Sequence, residues 1–148
     1  MPEANVHASC VAVGRLGVLL LGSSGSGKSD IALQLMDRGA VLVADDRAIL
    51  FVKNGALHAK APPSIRGLIE IRGVGIVKMP ARASARLALA VRLGREDERL
   101  PRPAFYRALS KTVPQIALDA RIASTPARIR AALAAHGRGM FRDTFITK

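Results

Sequence analysis

One cysteine, no tryptophan and few aromatic residues leave this chain of 148 residues with little but aliphatic side chains to build a core from. A lone Cys10 cannot close an internal disulfide, and no Cys/His cluster has zinc-ligand spacing. Cys10 lies in an apolar run and reads as a buried, inert thiol. With aromatics at 3%, the core has to come from Ala, Val, Leu and Ile. Acidic residues are also scarce: 11 stand against 23 Lys and Arg, for a net charge of +12. Such a field attracts anions. The arginines are scattered from Arg15 to Arg142 and are not interleaved with aromatics, so nucleic acid is not expected as a partner. There is no long hydrophobic run. Val11 to Leu21 carries Arg15 and is too short to span a bilayer, and Glu3, Asn5 and His7 interrupt the start where a secretory signal would lie. No membrane partner and a cytoplasmic location are the expectation.

What is present fits a single domain over residues 1–148, long enough to bury a core unaided. Ala8 to Val13 and Val18 to Leu21 read as strands joined by a Gly14-Gly17 turn, the second a continuous apolar run suited to a buried strand. Gly22 to Gly27 is too rich in Gly and Ser to be other than a loop. A helix follows from about Lys28 to Arg38, with Gly39 as its stop. Val41 to Ala44 is a short buried strand. Ala48 to Val52 and Ala56 to Ala59 flank Asn54-Gly55, a hairpin signal. After the Pro62-Pro63 break, Ile65 to Val77 reads as strand, loop and strand, or as a short helix. Arg86 to Leu93, with imperfect alternation, and Val113 to Leu118 read as strands. Gly94 to Pro103 reads as a mobile loop. Ser124 is an N-cap signal for a helix to about His136, and Gly137 to Lys148 forms a tail. The pattern is strand-rich α/β, a mixed sheet with one central strand-loop-helix unit rather than regular alternation.

Gly22-Ser23-Ser24-Gly25-Ser26-Gly27-Lys28-Ser29 satisfies G-x-x-x-x-G-K-[ST] at every fixed position, between an apolar strand and an amphipathic helix. Glycines let successive backbone N–H groups turn toward phosphate oxygens. The helix that follows brings its positive end to the same anion. Lys28 can reach the outer phosphates, and the Ser29 hydroxyl can ligate Mg²⁺.

Asp45 and Asp46 directly follow the Val41 to Ala44 strand. A carboxylate there can hold Mg²⁺ through water, or accept the proton of an attacking hydroxyl. Adjacent strand residues face opposite ways, so the two point to different roles, unless one only caps a turn. Taken alone, Glu70 reads as a surface residue of an edge strand and His7 as a solvated or packing residue. His58 and His136 have no motif context.

The order Gly22 to Leu35, Arg38-Gly39, Val43-Ala44-Asp45-Asp46-Arg47, Ala61-Pro62-Pro63 and Leu68-Ile69-Glu70-Ile71-Arg72-Gly73-Val74-Gly75-Ile76 resembles the catalytic domain of HPr serine kinase/phosphorylase. His7 falls where that family has a His ahead of its first core strand. The resemblance is strong from His7 to Ile76 and weak beyond. It implies a strand-rich phosphate-loop fold related to phosphoenolpyruvate carboxykinase. It also implies an enzyme that uses ATP, or pyrophosphate, with Mg²⁺ to phosphorylate a serine of the phosphocarrier protein HPr. Carried over residue by residue, it makes Asp45 the acid/base at the seryl oxygen, supported by His7, with Lys28 in the catalytic set. Gly22, Ser23, Ser24, Gly25, Ser26, Gly27, Lys28, Ser29 and Asp30 then bind nucleotide, and Ser29, Asp46 and Glu70 surround Mg²⁺.

Family members carry an additional N-terminal domain, whereas this chain begins almost at the catalytic domain, so regulation through that domain is expected to be absent. The family's late Val-Arg-Pro-Gly-Arg stretch has no counterpart around Val113 to Asp119, which leaves the phosphorylase reaction and the family's hexameric homo-oligomer open. Two other readings compete. One is a kinase of a small-molecule alcohol or nucleotide, with Arg95, Arg99 and Arg102 on a lid. The other is a nucleotide or pyrophosphate sensor without chemistry, which the retained carboxylates disfavour.

Overall fold

In the computed structural model of the protein, residues 2–94 and 99–137 are described. They form eleven strands, two α-helices and one 3-10 turn. In chain order these are β1 (Glu3–Val6), β2 (Ala8–Val13), β3 (Leu16–Leu21), α1 (Lys28–Asp37), β4 (Val41–Ala44), β5 (Ala48–Lys53), β6 (Ala56–Lys60), the turn Pro63–Ile65, β7 (Leu68–Ile71), β8 (Gly75–Lys78), β9 (Ala85–Leu93), β10 (Ala104–Ala108), β11 (Lys111–Leu118) and α2 (Thr125–Gly137). The strand-rich α/β expectation holds, with one unit at its centre: β3, the Gly/Ser loop and α1.

Nine strands make one mixed sheet. β3 runs parallel to β9 on one side and antiparallel to β2 on the other, and β2 is antiparallel to the short β4. The far side of β9 is shared. Its first residues pair with β6, while Ala90–Leu93 pair in parallel with Gln115–Leu118 of β11. The parallel strands β3, β9 and β11 therefore end on the same side, where ligands of open α/β sheets bind.

Two cores lie on opposite faces of this sheet. Leu20, Val18, Leu89 and Val91 pack with Ile31 and Leu35 of α1 and with Ile129 and Leu133 of α2. On the other face β5 and β6 curl back, and Leu50 and Leu57 meet Cys10, Leu19 and Leu21 among many alanines. Small side chains permit that close curl. Full burial of each Leu, Ile or Val contributes roughly 1.5–3 kcal/mol. The largest fully buried side chains are all Leu, Ile or Val, as the shortage of aromatics requires.

The imperfect alternation of Arg86 to Leu93 has a local cause. The β3–β9 register passes from Gly17↔Leu87 to Val18↔Leu89, so Ala88 is a bulge. The bulge flips the pleat: Leu87 faces the second core and Leu89 the first. A second bulge, at Val43, lies between the pairs Cys10↔Ala44 and Val11↔Leu42, immediately before Asp45.

Of the two readings of Ile65 to Val77, strand-loop-strand holds: β7 and β8 form a separate antiparallel hairpin anchored by the buried Ile69. Two strands were not expected. β1 pairs with the edge of β5, and β10 forms a hairpin with β11. Within the mobile-loop expectation, residues 95–98 lie outside the described residues, as do residues 138–148 of the expected tail.

Candidate active site

β3 runs straight into the Gly/Ser loop, and the loop ends as α1 begins at Lys28. Gly27 is the N-cap, with φ of 101°, in the left-handed region. A Cβ there would lie 2.7 Å from the Cβ of Ala120, so both backbone conformation and space demand glycine. The Ser26 N–H closes a turn on the Ser23 carbonyl at 3.0 Å, which curls the loop back on itself. Ser26 Oγ is buried and has no hydrogen-bond partner among the described residues. Lys28 is 5% exposed, and its Nζ donates to the carbonyls of Gly22 (2.9 Å) and Ser23 (3.0 Å). The ammonium is thus held across the loop that the motif assigns to phosphate. Asp30, in the first turn of α1, accepts a hydrogen bond from Gln34 Nε2 at 3.1 Å.

Asp45 directly follows β4, and its side chain meets Ser29 in the first turn of α1. It is 7% exposed and accepts three hydrogen bonds. Ser29 Oγ donates to Oδ1 at 2.6 Å, Ser9 Oγ to Oδ1 at 3.2 Å, and the Glu70 backbone N–H to Oδ2 at 3.0 Å. One carboxylate therefore ties together α1, β2 and the β7–β8 hairpin.

The chain then reverses. The Arg47 N–H bonds to the Asp45 carbonyl at 2.8 Å across Asp46, whose φ is +70°. A non-glycine residue in that region costs about 1–2 kcal/mol, and such strain collects at functional sites. Asp46 is more exposed than Asp45. Its Oδ1 lies 2.7 Å from His7 Nε2, with both side chains about half exposed. The tight turn, rather than the pleat, gives the adjacent aspartates different partners, while both still line one cleft.

Ser24, Gly25, Gly27, Lys28, Ser29, Asp30, Asp45, Asp46 and Glu70 line one cleft of about 660 Å³. His7 joins it through Asp46, whereas Gly22, Ser23 and Ser26 form the body of the loop. Leu33, Ile71 and Arg72 complete the lining, and the sequence reading gave them no role. It also passed over Ser9, a hydroxyl that is 0% exposed and bonded to both aspartates. The one signal for Ser9 was a polar residue in an apolar strand, two places after His7.

Comparison with known proteins decides the family. The family profile described as HPr Serine kinase C-terminal domain matches residues 1–121. The chain belongs to that family. Among its relatives, HPr kinase/phosphorylase of Leptothrix cholodnii is 42% identical over 122 residues, covering 71% of this chain and 38% of the relative. HPr kinase/phosphorylase of Caldicellulosiruptor bescii is 43% identical over 112 residues, covering 67% and 36%. The chain spans little more than a third of either relative. A solved structure, that of the Hpr(Ser) kinase/phosphatase from Coxiella burnetii, superposes with a TM-score of 0.79 at 26% identity. That match covers 93% of this chain and 92% of the other. The mixed, strand-rich phosphate-loop fold is thus the fold of the HPr serine kinase catalytic domain. No helix among the described residues is long and apolar enough to cross a membrane.

The donor chemistry of the cleft suits Mg²⁺. Ser29, Asp45, Asp46 and Glu70 offer only oxygen, the ligand a hard cation prefers. Among the described residues no three His, Cys, Asp or Glu side chains are grouped to hold an ion by themselves. A Mg²⁺ ion keeps several waters and is ordinarily bound through one or two carboxylates together with phosphate oxygens of the substrate.

Proposed function

We propose that this domain transfers the terminal phosphoryl group of ATP to a serine of the phosphocarrier protein HPr, with Mg²⁺ and with Asp45 as acid/base. The observation that carries the reading is the placement of Lys28, Ser29 and Asp45 in one cleft: phosphate grip, metal-type ligand and carboxylate within hydrogen-bond reach. Family membership and the names of the relatives support the same acceptor.

In this reading the amides from Ser24 to Ser29 and the Lys28 ammonium hold the phosphates, the ammonium exchanging its loop carbonyls for phosphate oxygens. Ser29, Asp46 and Glu70 hold Mg²⁺, which when bound neutralises charge on the phosphoryl oxygens. Asp45 takes the proton of the attacking serine hydroxyl, and His7 orients the acidic pair through Asp46. Catalysis is then mostly positioning and electrostatics, as phosphoryl transfer requires.

One observation favours an exchange of roles. Ser29 bonds to Asp45 rather than to Asp46, while the more exposed Asp46 has a histidine partner. That arrangement suits Asp45 as the metal-side carboxylate and Asp46–His7 as the base. Asp45→Asn separates the two readings. Lost transfer with nucleotide affinity kept makes Asp45 the base, and lost Mg²⁺-dependent affinity makes it the metal's partner. The acceptor is tested by incubating the protein with labelled ATP, Mg²⁺ and either HPr or a mixture of small metabolites. Label on HPr is the expected result, and label on a metabolite alone would replace HPr by a small alcohol or nucleotide.

A further inference from the structure

Ser9 is the buried hinge on which the two aspartates separate. Its hydroxyl has one proton and two lone pairs, and the structure uses both kinds of site. Ser9 Oγ donates to Asp45 Oδ1 at 3.2 Å and accepts the Asp46 backbone N–H at 3.0 Å. Ser9 is 0% exposed, so water cannot replace either bond. We infer that Ser9 is a positioning residue for phosphoryl transfer, orienting the Asp45 carboxylate and holding Asp46 in its left-handed turn. The inference rests on the proposed roles of the aspartates and holds for either assignment of base.

The geometry explains why a second hydroxyl is needed. Asp45 Oδ1 is gripped from one side by Ser29 and from the other by Ser9. Ser29 is also the residue whose hydroxyl the loop motif commits to Mg²⁺. Once that hydroxyl turns to a metal, Ser9 Oγ and the Glu70 N–H remain to fix the carboxylate. On the Asp46 side, the same oxygen partners the N–H of a residue at φ +70°, helping to stabilise a turn that would otherwise relax. His7, two residues earlier, reaches the Asp46 side chain. The start of β2 thus grips the acidic turn at its backbone and at its side chain.

The test compares Ser9→Ala, Ser9→Thr and Asp45→Asn with the unaltered protein. Transfer to HPr is read, and in parallel samples without HPr, release of phosphate from ATP to water. Ala is close in size to Ser and Ala8 already occupies this strand, so Ser9→Ala is expected to fold. Its kcat is expected to fall about 10–100-fold, the range seen when an orienting partner is lost. With Asp45 as base the KM for ATP is expected to stay within about twofold, and with Asp45 on the metal side it rises together with the fall in kcat. Ser9→Thr keeps the hydroxyl and is expected to recover most of the lost rate. An unchanged kcat in Ser9→Ala overturns the inference. So does an equal fall in Ala and Thr, which marks packing rather than the hydroxyl. Full activity in Asp45→Asn and in Asp46→Asn, made alongside as a further variant, sinks the reading of the aspartates itself. Absence of label on HPr with measurable phosphate release sinks only the acceptor, and the Ser9 comparison is then decided on release to water.

Discussion

Ser29 and Asp45 are 16 positions apart in sequence and share a hydrogen bond of 2.6 Å. The bond locks the first turn of α1 to the end of β4. It also places the hydroxyl that the loop motif assigns to Mg²⁺ against the carboxylate at the floor of the cleft. Ser29→Ala removes both at once. Affinity for ATP in the presence of Mg²⁺ is expected to fall about tenfold or more, while affinity measured with a chelator changes little. Titration of a fluorescent ATP analogue with and without Mg²⁺ reads the difference. Equal losses under both conditions would show that Ser29 serves only the loop's shape.

Lys28→Ala should abolish transfer and leave the fold standing. Among the described residues its ammonium bonds to two loop carbonyls, those of Gly22 and Ser23, and to no core side chain. Circular dichroism should therefore show a native spectrum while turnover disappears. Unchanged turnover would mean that the loop does not grip phosphate.

Cys10 is fully buried in the second core, and burial pushes its thiol up to about 12 from an ordinary 9.0. Only a thiolate alkylates, so the native protein should resist iodoacetamide at pH 8 and react fully in denaturant. The sign for stability follows. The unfolded chain loses the thiol proton above pH 9.0, whereas the folded chain keeps it until about 12. Cys10 therefore lowers stability as pH rises through that window and has no effect below it. A Cys10→Ala variant should show a flatter decline of unfolding free energy between those limits. Rapid native alkylation at pH 8 would contradict the burial.

The β10–β11 hairpin turns through Leu109 and Ser110, whose φ values are +51° and +63°. Two-residue turns of this kind ordinarily use Asn-Gly. Replacing Leu109-Ser110 by Asn-Gly should relieve about 1–2 kcal/mol and raise Tm by roughly 3–6 °C, as read by thermal unfolding. A lower Tm would mean that Leu109, which packs against the second core, contributes more than its backbone strain removes.

That same hairpin shows where sequence reasoning stops. The loop, α1 and β4 were readable because their signals are local: a fixed glycine spacing, a helical stripe and a four-residue apolar run. β10 was not, because its turn carries neither Gly nor Asn, and an exposed Phe105 beside the inward Tyr106 and Ala108 blurs the alternation. β1 is an edge strand whose Glu3 and Asn5 face solvent and resemble an unstructured start. The bulges at Val43 and Ala88 are set by pairing across the sheet, and no single strand reveals them. At the site, the residues came from motif and resemblance, but their pairing did not. That Ser29 meets Asp45 and His7 meets Asp46 depends on a left-handed turn at Asp46, which Ser9 helps hold from another strand.

Mass-spectrometric mapping of HPr after incubation with the protein, ATP and Mg²⁺, run beside Asp45→Asn, bears most directly on the claim of serine-directed phosphoryl transfer. The expected result is a single phosphoserine on HPr with the unaltered protein and none with Asp45→Asn, at nucleotide affinity within a few-fold of the original. Unmodified HPr in the presence of a protein that binds Mg²⁺-ATP would contradict it.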